Sequence, residues 1–221
     1  MCFSAEADIV AGVVVTVIGA DALRQVERPA ERALASLPVL LGAHLLVEAV
    51  VWWGEAERVA ASTGRMAMWA YLAMALIILP VLVPLAVRGV ETDPGRRRIM
   101  SGLAAVGVAL AVIYLGALFL EPVDVQVHGR HLAYRIGIDH GGVAAAVYAL
   151  VACAPPFFSS HRRIAAFGVA NLAAVVALAW IQSDGLTSLW CAWAAVTSVA
   201  IATHLRHEHR PRQLRETLTP A

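Results

Sequence analysis

The chain has 221 residues, of which 60% are apolar and only 15% are charged, and its mean hydropathy is +0.71. A soluble domain carries about 45–50% apolar and about 25% charged residues, so this chain has too little polar surface for a globule in water. Seventeen basic residues nearly balance sixteen acidic ones, for a net charge of +1. The composition therefore indicates one integral membrane domain, with the lipid bilayer as its partner and no nucleic acid.

The basic residues are all arginines, and the absence of lysine excludes one kind of chemistry. Retinal and pyridoxal phosphate are both held through a Schiff base to a lysine amine, so neither cofactor is expected. Cys2, Cys153 and Cys191 form no CxxC pair and predict no disulfide framework. The first apolar stretch follows an acidic start rather than a basic one, so we expect no cleavable signal peptide.

Seven apolar stretches come close to the length of about 20 residues that crosses a bilayer core of about 30 Å. They cover approximately residues 5–23, 36–54, 66–88, 99–120, 138–158, 163–182 and 186–205. The first is the shortest, with only 12 residues between Asp8 and Asp21, and it reaches spanning length if its helix begins after an N-cap at Ser4. The sequence thus predicts an all-α bundle of seven transmembrane helices over residues 1–206, followed by a basic tail over 207–221.

The distribution of arginines predicts the orientation of this bundle. With the N-terminus outside, 13 arginines fall in cytoplasmic segments and 4 in external segments. Positive residues are retained on the cytoplasmic side of a membrane. We therefore expect a multi-pass protein of the cell inner or plasma membrane, with its N-terminus outside and its C-terminus in the cytoplasm.

The external segment between the fourth and fifth spans has a different pattern. Apolar and polar residues alternate over 123–128 and again over 132–136, on either side of a turn at His128-Gly129-Arg130. Alternation with a period of two around a glycine turn is typical of a β-hairpin. We expect a short extracytoplasmic hairpin that covers the outer mouth of the bundle, and the alternative is an irregular amphipathic loop.

The second span contains the clearest candidate for a functional site. Ionisable residues inside a span are costly, and each one is a functional hypothesis. His44 and Glu48 are separated by four residues, so they lie on one face of the predicted helix. Such a pair can share a metal ion, or the carboxylate can fix the tautomer of the imidazole. The alternatives are a structural pair that joins two helices, or an exposed pair outside the bilayer.

Further candidates lie toward the same external side. Asp139 and His140 lie at the start of the fifth span. If the helix of that span begins earlier in the chain, both side chains can face Glu48. The alternative is that Asp139 is the N-cap of this helix. Weaker candidates are His128, His131 and Asp184.

The N-terminus adds a different kind of candidate. Removal of Met1 would leave Cys2 with a free amine and a thiol, which together can chelate a metal or act as a nucleophile. The alternative is that Cys2 is a small buried apolar residue.

Two segments resemble a known family. The opening Met1-Cys2-Phe3-Ser4-Ala5 and the second span ending His44-Leu-Leu-Val-Glu48-Ala-Val-Val-Trp52 are similar to a bacterial family of small multi-pass membrane proteins, a domain of unknown function. The likeness covers most of the chain. The resemblance implies a polytopic membrane protein without an assigned activity, and it gives added weight to Cys2, His44 and Glu48.

The sequence supports three hypotheses for function. The first is an outward-facing site for a metal ion or a small polar ligand, built from His44, Glu48, Asp139, His140 and Cys2. Its nitrogen, oxygen and sulfur donors would suit zinc or copper best. The second is a transporter or proton-coupled channel in which His44 and Glu48 titrate, and the third is a membrane scaffold without a site. Whether the protein is an enzyme stays open.

Overall fold

The structure, a computed structural model, describes residues 4–128, 131–138 and 141–181, and it is mostly helical. The described elements are α1 (Ala5–Arg24), a 3-10 turn (Pro29–Glu31), α2 (Arg32–Glu55), α3 (Ala61–Ala73), a π-helical segment (Met74–Ile78), α4 (Leu79–Val90), α5 (Pro94–Leu120), β1 (Val123–His128), β2 (His131–Ile136), α6 (Gly141–Phe157) and α7 (Arg162–Ile181). The predicted seventh span and the basic tail lie outside the described residues.

Three helical stretches of the described chain are long and apolar enough to cross a membrane. They are Pro29–Glu55, Ala61–Val90 and Pro94–Leu120, and they coincide with the second, third and fourth predicted spans. Helix α6 is apolar but shorter, with 17 residues. The prediction of an apolar helical protein is therefore confirmed.

Helix α1 begins where its sequence predicts. The Ser4 side chain caps the helix by accepting a hydrogen bond from the backbone N–H of Ala7 at 3.3 Å, and Glu6 and Asp8 occupy the first turn. Negative charge is favourable there because the first backbone N–H groups of a helix are unpaired. This start gives α1 a length of 20 residues.

Small residues bring α1 and α2 into close antiparallel contact. A Cβ atom on Gly12 would lie 2.9 Å from the carbonyl oxygen of Gly42, and one on Gly19 would lie 2.6 Å from the backbone nitrogen of Val39. Glycine permits this approach because it has no side chain. Asp8 lies one helical turn before Gly12 on α1. Because the two helices are antiparallel, the glycine contacts place Asp8 at the level of Ala49 on α2.

Helices α3 and α4 form one continuous helical stretch, which the π-helical segment Met74–Ile78 interrupts shortly before Pro80. The backbone N–H of Leu79 donates to Met74, so it is not available to Ala75. Pro80, the next residue, has no N–H to donate. The carbonyl of Ala75 instead accepts a hydrogen bond from the Tyr148 hydroxyl at 2.9 Å, which joins this helical stretch to α6. The helix distortion before Pro80 is thus a π-bulge with a tertiary hydrogen bond.

The β-hairpin is confirmed. Strands β1 and β2 pair antiparallel, and the register aligns Val125 with Tyr134 and His128 with His131. The hairpin packs on the helices through one apolar cluster that contains Leu132 from β2, Tyr71 from α3 and Leu118 from α5. It therefore covers one end of the helices, which we call the hairpin end.

A buried carboxylate ties together two connections at the opposite end, the arginine-rich end. Glu91, only 2% exposed, follows α4 and accepts hydrogen bonds from the backbone N–H groups of Thr92, Asp93 and Ser160 and from the Ser160 hydroxyl, at 2.5–3.0 Å. Burial raises the pKa of this carboxyl, but the four donors outweigh that effect and lower the pKa to about 2. Glu91 thus joins the α4–α5 connection to the residues before α7 as a carboxylate.

Candidate functional site

His44 and Glu48 both lie in the interior of the helices. Each side chain is fully buried, and the two are one turn apart on α2. Burial of the pair agrees with its predicted place inside a span and excludes the alternative of an exposed pair. An imidazole and a carboxyl group are therefore held together in an environment where polar groups are costly.

An aromatic stack fixes the imidazole ring. The His44 ring stacks on Tyr71 of α3, with centroids 4.0 Å apart and planes inclined by 23°. Tyr71 stacks in turn on Tyr134 of β2, at 4.5 Å and 13°. This stack connects α2, α3 and the hairpin, so the hairpin is part of the support of the site as well as its cover.

The edges of the His44 ring are not used by the surrounding protein. Within residues 4–128, 131–138 and 141–181, neither Nδ1 nor Nε2 of His44 has a hydrogen-bond partner, and both atoms are buried. A buried polar group without a partner costs about 1–3 kcal/mol. A histidine that only joined two helices would be expected to form at least one hydrogen bond, so this arrangement favours a binding role.

Further polar groups extend the site toward the hairpin end. Trp52 lies one turn beyond Glu48, about 12 Å from His44 along the helix axis, and its buried indole nitrogen also has no partner in the described part of the chain. Asp8 of α1, 1% exposed, lies between the levels of Glu48 and Trp52. The interior thus carries polar groups at three successive turns of α2 and on the facing helix.

A cleft opens at the hairpin end, between the end of α2, the start of α3 and strand β1. Its volume is about 490 Å³, and its lining includes Glu55 at the end of α2, Arg65 of α3 and Asp124 of β1. Met68 also lines the cleft and belongs to the same apolar cluster as Tyr71. The cleft and the aromatic stack therefore adjoin the same apolar cluster.

The other predicted site residues are only partly placed. His131 is buried at the start of β2, and His128 is paired with it in the strand register. Cys2, Asp139, His140 and Asp184 lie outside the described residues. Among the residues that are described, no group of three or more His, Cys, Asp or Glu side chains is placed to hold a metal ion.

Some members of the site were not predicted as site residues. Asp8 was assigned to the helix terminus, although its spacing from Gly12, Val15 and Gly19 matches the buried face of α1 and could have revealed it. Nothing in the sequence indicates that Tyr71 and Tyr134 stack on each other, because they belong to elements far apart in the chain.

The fold and the site define a helical protein with membrane-length helices and a buried polar cluster beneath a β-hairpin. The chain belongs to the family of unknown function DUF6629, whose model matches residues 1–216. No curated protein and no solved structure matches the chain.

Proposed function

We propose that the chain is an integral membrane protein with seven spans, its hairpin end outside and its arginine-rich end in the cytoplasm. The three membrane-length helices support the first part of this proposal. The charge supports the second: the arginine-rich end carries nine arginines in residues 21–32, 88–98 and 159–163, against five carboxylates. Such an excess of arginine is typical of a cytoplasmic face.

Accessibility of single cysteines tests this orientation. In a variant without native cysteines, Arg58→Cys marks the α2–α3 connection at the hairpin end, and Arg98→Cys marks the start of α5. We expect a membrane-impermeant maleimide to label the first in intact spheroplasts and the second only after permeabilisation. The reverse pattern, or labelling of both in intact spheroplasts, would contradict the proposed topology.

We propose further that the protein binds a small cation at His44 and Glu48, either a metal ion or a compact organic ammonium. The observation that carries this proposal is the pair of buried His44 nitrogens without hydrogen-bond partners among the described residues. A neutral imidazole offers a lone pair, and a carboxylate offers several. Both groups favour a ligand that accepts electron pairs or carries positive charge.

Two classes of cation fit the groups that the site offers. Imidazole and carboxylate are ligands for zinc and copper, and sulfur from Cys2 would strengthen that preference. A metal site needs more ligands than His44 and Glu48, and the predicted ones are Cys2, Asp139 and His140. A compact organic ammonium could instead donate hydrogen bonds to the lone pair of the His44 ring and to the Glu48 carboxylate.

Calorimetric titration of the protein in lipid nanodiscs tests this function. The probes are zinc chloride, cuprous ion under reducing conditions, and methylammonium chloride. We expect one probe to bind near one equivalent, and His44→Phe, which keeps an aromatic ring against Tyr71, to weaken binding more than about 100-fold because a direct ligand is lost. Glu48→Gln should weaken it as well.

The control for this titration is His161→Phe, which changes a histidine at the arginine-rich end and should leave cation binding unchanged. Failure of all three probes to bind would contradict the proposal. So would equal binding by the native protein and the folded His44→Phe variant.

A further inference from the structure

A second cavity lies at the arginine-rich end, away from His44. Its volume is about 360 Å³, within the range of about 300–1,000 Å³ that is common for ligand pockets. Three parts of the chain form it: Arg28 beside the 3-10 turn, Thr92 and Arg97 at the α4–α5 connection, and His161 before α7. The cavity thus lies where several helices end.

The acidic side chains that line this cavity are already engaged. Glu31 forms an ion pair with Arg28. Glu91 accepts the four hydrogen bonds from Thr92, Asp93 and Ser160 described above. Their lone pairs are therefore largely occupied, and these carboxylates repel an incoming anion less than free ones would.

The basic side chains retain donors for a ligand. Arg97 is exposed, and a guanidinium presents five N–H groups in a planar fork that fits phosphate oxygens. One ring nitrogen of His161, Nε2, lies 3.0 Å from the carbonyl oxygen of Val90, to which it donates, so the ring is fixed in the lining of the cavity and Nδ1 is a further donor only when the ring is protonated. The lining therefore combines an oriented imidazole with a guanidinium, that of Arg97, which is not engaged by any of the described residues.

The surroundings of the cavity are positive. Arg32, Arg96, Arg162 and Arg163 are exposed on the same connections, and together with the other arginines there they outnumber the carboxylates nine to five. The described residues of the hairpin end show the opposite balance, with three arginines, at positions 58, 65 and 135, against six carboxylates. Of the two ends, as far as the structure describes them, the arginine-rich end is the one whose charge attracts an anion.

We propose that this cavity binds a phosphate group, carried by an anionic phospholipid headgroup or by a soluble phosphate. Basic pockets between helices at the cytoplasmic surface of a membrane protein suit anionic lipid headgroups. A charged hydrogen bond from arginine to phosphate is stronger than a neutral one, so the guanidinium of Arg97 contributes most of the selectivity. The proposal does not depend on cation binding at His44.

Native mass spectrometry and nanodisc titrations test the proposal and separate the two sources of phosphate. One arm compares retention of phosphatidylglycerol with that of phosphatidylcholine by the purified protein, and the other titrates inorganic phosphate. We expect phosphatidylglycerol or inorganic phosphate to bind, and Arg97→Gln to weaken that binding about tenfold or more. Binding of phosphatidylglycerol alone assigns the lipid source, and binding of inorganic phosphate assigns the soluble one.

The matched control is Arg98→Gln, which removes the same charge from the adjacent residue, outside the lining of the cavity. It should change binding less than twofold. Equal weakening by Arg97→Gln and Arg98→Gln would show that diffuse surface charge, not this cavity, holds the anion. That result would overturn the proposal, as would the absence of binding by both phosphatidylglycerol and inorganic phosphate.

Discussion

Acidification from pH 7 to pH 3 should destabilise the native protein by about 2 kcal/mol more than a variant that lacks the Glu91 carboxylate. The pKa of Glu91 is lowered from an ordinary value of 4.5 to about 2 in the folded protein. A lowered folded-state pKa stabilises the fold above the unfolded-state value, by about 3 kcal/mol at pH 7. This contribution is lost as the pH falls from about 4.5 toward 2, because the carboxyl must then be protonated.

The variant for this comparison is Glu91→Gln, which keeps the shape of the side chain but removes its charge. We expect it to lower the free energy of unfolding by about 3 kcal/mol at neutral pH. The amide has one acceptor oxygen in place of two, and its NH₂ group faces the N–H donors of Thr92, Asp93 and Ser160. Equilibrium unfolding in mixed micelles at pH 7 and pH 3 measures both effects.

An exposed carboxylate at the same end provides the control for Glu91. Glu27→Gln should change the free energy of unfolding by less than about 0.5 kcal/mol, as is usual for surface substitutions. Parallel acid profiles for the native protein and Glu91→Gln would contradict the stabilising role of this carboxylate.

Gly107→Ala should lower the free energy of unfolding by about 1–3 kcal/mol, because it forces apart two closely packed helices. A Cβ atom at Gly107 of α5 would collide with the carbonyl oxygen of Pro80 in α4. That carbonyl has lost its usual helical donor, since Pro84, four residues later, has no N–H. The glycine thus lets α5 approach at the place where a carbonyl of α4 lacks its usual helical donor.

Two other glycines of α5 serve as matched controls. Among the residues that the structure describes, Gly102 and Gly116 have no atom within 4 Å of the position that a Cβ would take. Alanine at either position should stabilise the helix by about 0.5–1 kcal/mol, since alanine has the higher helix propensity. Thermal unfolding of the three variants in one detergent gives the comparison, and the same sign at all three positions would refute the packing argument.

Features of the sequence that are local along the chain predicted the structure well. The hairpin followed from alternation around a glycine turn, and the start of α1 followed from a capping serine with acidic residues after it. The burial of His44 and Glu48 followed from their spacing within an apolar stretch. Each of these inferences depends on residues within a few positions of one another.

Contacts between distant parts of the chain could not be predicted in the same way. The hydrogen bond from Tyr148 to Ala75 exists because Pro80 distorts a helix more than sixty residues earlier, and the Glu91 contacts require two connections to meet. Glu91 was not proposed at all, because a carboxylate in a loop gives no local sign of burial. The stack of His44, Tyr71 and Tyr134 likewise depends on how the hairpin folds back over α2 and α3.

Nitrogen-15 NMR of labelled histidine in nanodiscs tests the cation site most directly. The chain has eight histidines, and the signals of His44 are identified by their absence from the His44→Phe variant. We expect the ring nitrogens of His44 to shift when the cation found by titration is added, while those of His161 do not move. A spectrum in which other histidines respond and His44 stays unchanged would contradict the central claim that this buried ring binds the ligand.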